Sequence, residues 1–75
     1  MIIDLNHILI FKTNIQTECD KQRIQTILDA HNTILQSNID LQDIDCVLRV
    51  VSEILTPEQI ISLIKHNGFE CAELK

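Results

Sequence analysis

Tryptophan and tyrosine are absent from this 75-residue chain, and Phe11 and Phe69 are its only aromatic residues, so its core must be aliphatic. A single glycine and a single proline exclude a low-complexity linker or a loop-rich scaffold. Cysteine is sparse: Cys19, Cys46 and Cys71 are odd in number and too widely spaced for a disulfide framework. Six Lys and Arg against eleven Asp and Glu leave a net charge of −5, which argues against nucleic acid or an anionic membrane surface as partner. No apolar run approaches the ~20 residues of a membrane span. The apolar start Met1-Ile2-Ile3 is broken by Asp4, with neither a basic n-region nor a small-residue cleavage site after it. A reducing, cytoplasmic setting is the expectation.

What is present is an ordinary globular composition, 45% hydrophobic and 23% charged, enough for one domain over residues 1–75. A chain this short buries only about 60% of its unfolded surface, so its stability margin is thin. Residues 7–11 (His-Ile-Leu-Ile-Phe) are a continuous apolar run, predicting a strand buried on both faces. Ile24, Ile27, Leu28 and His31 then recur at helical spacing, predicting an amphipathic helix over 17–31 ended by Asn32. Residues 34–40 read as a second strand, 41–45 as a turn and the β-branched 46–51 as a third strand, close enough for a hairpin.

The clearest boundary follows. Thr56 suits an N-cap, Pro57 the first helical position and Gln59 the reciprocal bond of a capping box, with Leu55 and Ile60 spaced as a staple. Ile60, Ile61, Leu63 and Ile64 supply the buried face, Lys65 and His66 suit the negative helix end, and Asn67-Gly68 offers a left-handed exit. Residues 69–74 make a last strand. The order β-α-β-β-α-β predicts an α+β, ferredoxin-like fold: a four-stranded antiparallel sheet with both helices on one face. Right-handed crossovers place the first and third strands centrally.

In this order the chain resembles the heavy-metal-associated domain family of copper chaperones and metal-pumping ATPase N-terminal modules. Asn38-Ile39-Asp40-Leu41 is similar to the family's V-D-L strand end, and Thr56-Pro57-Glu58-Gln59-Ile60-Ile61 to its second helix start. His66-Asn67-Gly68-Phe69-Glu70 is similar to its exit into the last strand. The family's M-x-C-x-x-C loop holds a soft ion such as Cu(I) between two thiolates, which favour soft ions over hard ones. Matching the helix through Ile24 and Leu28 puts Ile15 at the Met and Thr17 and Asp20 at the two Cys positions. Matching the strand through Phe11 puts Gln16 and Cys19 there instead. Either way at most one thiol survives, so the chain reads as a divergent member without the C-x-x-C motif. Thr17 and Asp20 also suit an ordinary helix start, which favours the helix register.

The resemblance implies a docking face made of the loop and first helix: Ile15, Gln16, Thr17, Glu18, Cys19, Lys21, Gln22 and Phe69. The expected function is a non-enzymatic protein-interaction or regulatory module with a degenerate metal site and no cofactor, its partner another protein or a second copy. The alternative is binding or transport of Cu(I), Zn or another soft metal through Cys19, shared between two subunits. The first helical turn raises the reactivity of Cys19, while Glu18 and Asp20 oppose that effect. Cys46 and Cys71, in strand runs, read as core residues, although an approach of Cys71 to Cys19 is conceivable in this fold. His31 reads as a packed or boundary residue, and His66 as a dipole partner. The histidines are too dispersed for a metal cluster. Asp40, Asp43 and Asp45 lack the glycine and terminal glutamate of a calcium loop and read as a solvated turn.

Acylphosphatases share the topology but need a glycine-rich phosphate loop with an arginine, absent from 13–20. RNA-recognition domains need stacking aromatics on the central strands, absent from 46–51.

Overall fold

Apolar central strands and two capped helices organise the chain into β1 (Ile8–Thr13), α1 (Glu18–Asp29), β2 (Gln36–Asp40), β3 (Val47–Val51), α2 (Pro57–His66) and β4 (Cys71–Glu73). The structure is a computed structural model that describes residues 7–74. The Met1-Ile2-Ile3 start, expected not to be a leader, lies outside the described residues. The strands pair antiparallel in the order β2-β3-β1-β4, so β1 and β3 are central, as the crossover rule requires. Phe11, Ile39, Leu48 and Val50 from the sheet meet Ile24 and Leu28 of α1 and Ile60 and Ile64 of α2 in one core. Each such side chain contributes about 1.5–3 kcal/mol by leaving water. The expected ferredoxin-like α+β fold is the observed one. Among the described residues no helix is long and apolar enough to cross a membrane.

The structure differs from expectation in detail: β2 and β4 are shorter, at Gln36–Asp40 and Cys71–Glu73. β1 is not buried on both faces: Phe11 is in the core and half-buried Leu9 packs against it, while Ile8 and Ile10 are half-buried and Lys12 is exposed. Both helices cover one face of the sheet, and an antiparallel sheet tolerates a solvated second face. α1 stops at Asp29 with Ala30 as C-cap, so His31 lies beyond the helix it was expected to end. β3 starts at Val47 because Cys46 adopts a left-handed backbone with φ of 46°. That conformation is unfavourable for a side chain with a Cβ. It is held by the Cys46 N–H donating to the Asp43 carbonyl at 3.0 Å and by the Thr13 hydroxyl donating to the Cys46 carbonyl at 2.7 Å.

The α2 start is as expected. The Gln59 N–H donates to the Thr56 hydroxyl at 3.3 Å, and the Thr56 N–H donates to Gln59 Oε1 at 2.9 Å. Gly68, with φ of 90°, supplies the left-handed exit. Thr56→Ala removes the cap and is expected to cost about 1 kcal/mol. Thermal unfolding followed by circular dichroism should show a drop of roughly 4–8 °C, since 1 kcal/mol moves Tm that far in a domain of this size.

The two sheet edges are treated differently. Along β2, the Gln25 side chain on α1 donates to the Ser37 carbonyl at 3.2 Å and to the Ser37 hydroxyl. A helix residue thus occupies an edge group that another strand would need. β4 has three residues, and among the described residues no strand lies beyond it.

Candidate functional site

The loop from Asn14 to Thr17 joins β1 to α1 at the end of the sheet where β4 begins, and its side chains are committed to holding it in place. Thr13 anchors it: its hydroxyl bonds the Cys46 carbonyl and accepts the Ile15 N–H at 3.2 Å. Asn14 ties the loop to the far end of the chain, its Oδ1 accepting the Glu70 N–H at 2.8 Å. Thr17 is the N-cap of α1, its hydroxyl accepting the Asp20 N–H at 3.1 Å. Glu18 and Asp20 lie in the first turn, where negative charge suits the helix dipole.

Ile15 corrects the expected docking face. It is 0% exposed and belongs to the core, so it supports the face from beneath and contributes none of its surface. Gln16, Thr17, Glu18, Cys19 and Gln22 are exposed, and Lys21 is half-buried. Phe69, also half-buried, lies under Arg23, whose guanidinium carbon is 5.4 Å from the ring centre. Arg23 Nη2 also donates to the Asn67 carbonyl at 2.8 Å. A cation over a ring contributes about 0.5–1 kcal/mol at an exposed site. The partners are 44 residues apart, and nothing local in the sequence announces them.

The three thiols are free and differ in access: Cys19 is exposed, while Cys46 and Cys71 are buried. Burial, which penalises the thiolate, pushes the Cys71 thiol up to about 11 from an ordinary 9.0, with nearby Lys65 opposing the shift. At pH 8 a thiol of pKa about 11 is roughly 10⁻³ thiolate, and the thiolate is the reactive form. A maleimide at pH 8 should therefore label one thiol quickly in the folded chain, and Cys19→Ser should abolish that fast phase. Fast labelling that survives Cys19→Ser would contradict this ordering. The raised value also fixes a pH dependence. Unfolding frees a thiol that ionises more readily, so the stability tied to Cys71 is present below pH 9 and lost as pH rises toward 11. The urea midpoint should fall over that window more steeply in the starting protein than in Cys71→Ala.

The other polar candidates have local tasks. His31 Nδ1 lies 2.8 Å from the Thr33 hydroxyl, and His66 closes the last turn of α2. Asp40 accepts the Gln42 N–H at 3.0 Å and Asp43 the Asp45 N–H at 2.9 Å, which shapes the hairpin turn. Among the described residues, no three His, Cys, Asp or Glu side chains form a group able to hold a metal ion. The loop itself offers one thiol and a hydroxyl already used as a cap. That donor set does not fit a two-thiolate site within one chain.

No family model matches the sequence, and no curated protein matches it. Among solved structures the chain is similar to the yeast copper transporter domain Ccc2a, determined in solution in apo and Cu(I)-loaded states. The identity is 21%, the match covers 92% of this chain and 96% of that one, and the TM-score is 0.79. At that identity the likeness establishes the fold alone, the ferredoxin-like α+β arrangement described above.

Proposed function

We propose that this chain is a non-enzymatic module of the heavy-metal-associated type whose metal loop has become a structural helix start, leaving the loop and the first half of α1 as a protein-docking face. The observation that carries this reading is the loop's own bonding: Thr17 caps α1, Asn14 accepts the Glu70 N–H just ahead of β4 and Ile15 is buried, so the chain's own groups hold the loop. The exposed face is Gln16, Thr17, Glu18, Cys19 and Gln22, with Lys21 and Phe69 at its margin. A photo-crosslinker at Gln22 should capture a partner that the same group at Glu53, exposed near the far end of the sheet, does not. Glu18→Lys should abolish the capture. Equal capture from both positions, or capture indifferent to Glu18→Lys, would sink the idea.

A second reading rests on one observation, the exposure of Cys19 while the other two thiols are buried. Two chains would then hold Cu(I) between paired Cys19 thiolates across a twofold axis. It requires metal-dependent dimerisation that Cys19→Ser removes. A Cu(I) titration against a competing chelator with no affinity above that of a cysteine-free variant rejects it.

A further inference from the structure

Backbone bonding shows which groups of β4 are spent. The Leu74 N–H donates to the Ile10 carbonyl at 2.9 Å, and the Glu70 N–H donates to Asn14 at 2.8 Å. In an antiparallel pair, residues alternate between bonding the neighbour and facing away from it. Ala72, two residues from each of these and paired with Lys12, therefore also bonds inward. The N–H and C=O groups of Cys71 and Glu73 face away from β1, where an added strand would bond. On the opposite edge one outward group is already taken, since Gln25 occupies the Ser37 carbonyl of β2. Among the described residues, β4 is thus the edge whose outward groups are all left for pairing.

Charge and shape at this edge are self-complementary. A depression of about 330 Å³ lies there, its lining including Lys12, Lys65, Glu70, Cys71 and Ala72. It gathers two of the chain's six Lys and Arg residues in a molecule of net charge −5. Cys71 belongs to the core beneath the helices, so Glu73, two residues on, has its side chain on the same face of the sheet. Lys65, at the end of α2, is on that side as well.

We propose that β4 pairs antiparallel with β4 of a second copy about a twofold axis at Ala72, so that each copy's Glu73 carboxylate enters the depression of the other beside Lys65. In this register Cys71 lies opposite the partner's Glu73 and Glu73 opposite the partner's Cys71. Each pair exchanges two backbone hydrogen bonds. The residues on the axis form the non-bonded, closely spaced pair, about 4.5 Å between Cα atoms, where a side chain as small as alanine fits. Centring the axis on Cys71 or Glu73 would use fewer outward groups, and the latter would set like charges face to face. A three-residue strand buries far less than the roughly 1,600 Å² of a standard interface, so the dimer is weak and forms at high concentration. This contact is separate from the loop–α1 face and does not depend on the function proposed for it.

Sedimentation equilibrium of the full chain, with reductant and a metal chelator and up to millimolar concentration, tests the proposal. A monomer–dimer equilibrium is expected, unchanged by Cys19→Ser. Lys65→Glu and Glu73→Lys should each weaken it roughly tenfold or more, because the reversed charge meets a like one twice across the axis. The double variant should restore it. Glu73→Pro, which removes an outward N–H and leaves the bonds to β1 in place, should abolish the dimer while the amide spectrum stays folded. A monomer at every concentration overturns the proposal, as does a dimer indifferent to the single reversals. A double variant no better than either single overturns the register.

Discussion

Gln16→Cys is expected to raise Cu(I) affinity by about 10²–10⁴-fold, because a second thiolate three residues before Cys19 makes the ion's second bond intramolecular. Both positions are exposed, one on the loop and the other in the first turn of α1, and neither side chain holds the fold together. The gain should vanish in Gln16→Cys combined with Cys19→Ser. The measurement is competition against a Cu(I) chelator under reducing conditions. Thr17→Cys is a harder route to the same end, since it removes the cap of α1 at a cost of about 1 kcal/mol. If Gln16→Cys gains nothing while Thr17→Cys with Asp20→Cys does, the loop follows the helix register of the family motif. If neither gains, the loop no longer has the geometry of a metal loop at all.

Ile15→Ala is expected to destabilise the chain by about 2–5 kcal/mol, the range for deleting a fully buried aliphatic side chain. Domains hold only about 5–15 kcal/mol in total, and one this small sits at the low end, so the variant should be substantially unfolded near physiological temperature. Gln16→Ala, one residue on but exposed, should change stability by less than about 0.5 kcal/mol. Urea denaturation of the pair measures both. A cost for Ile15→Ala close to that of Gln16→Ala would mean that the loop is not anchored in the core.

Much of this was legible from residue order. The capping box at Thr56 and Gln59, the left-handed Gly68 and the spacing of Ile24 and Leu28 are local signals, and each element they mark is present. Ile15 was misread because the resemblance gave it a role without giving its depth. An isolated isoleucine in a polar loop has no periodicity to show which way it points, and the packing beneath the loop decides it. Cys46 was read as strand because its β-branched neighbours are strand formers. Its left-handed backbone depends on bonds to Asp43 and to Thr13, the latter 33 residues away. The bonds from Asn14 to Glu70 and from Arg23 to Asn67 span 56 and 44 residues and have no local signature either.

Gln25 also bears on how far assembly can run. Open-ended growth needs two competent surfaces on every subunit, so that each addition regenerates the site it consumed. Here a glutamine amide from the chain's own helix takes one backbone carbonyl of one flank of the sheet, and the other presents a three-residue strand. Copies that meet through β4 leave only their β2 flanks outward, where Gln25 competes for a carbonyl that an added strand would need, and the proposed pairing closes at two. Losing that amide would free the Ser37 carbonyl and make the second flank more open to an added strand.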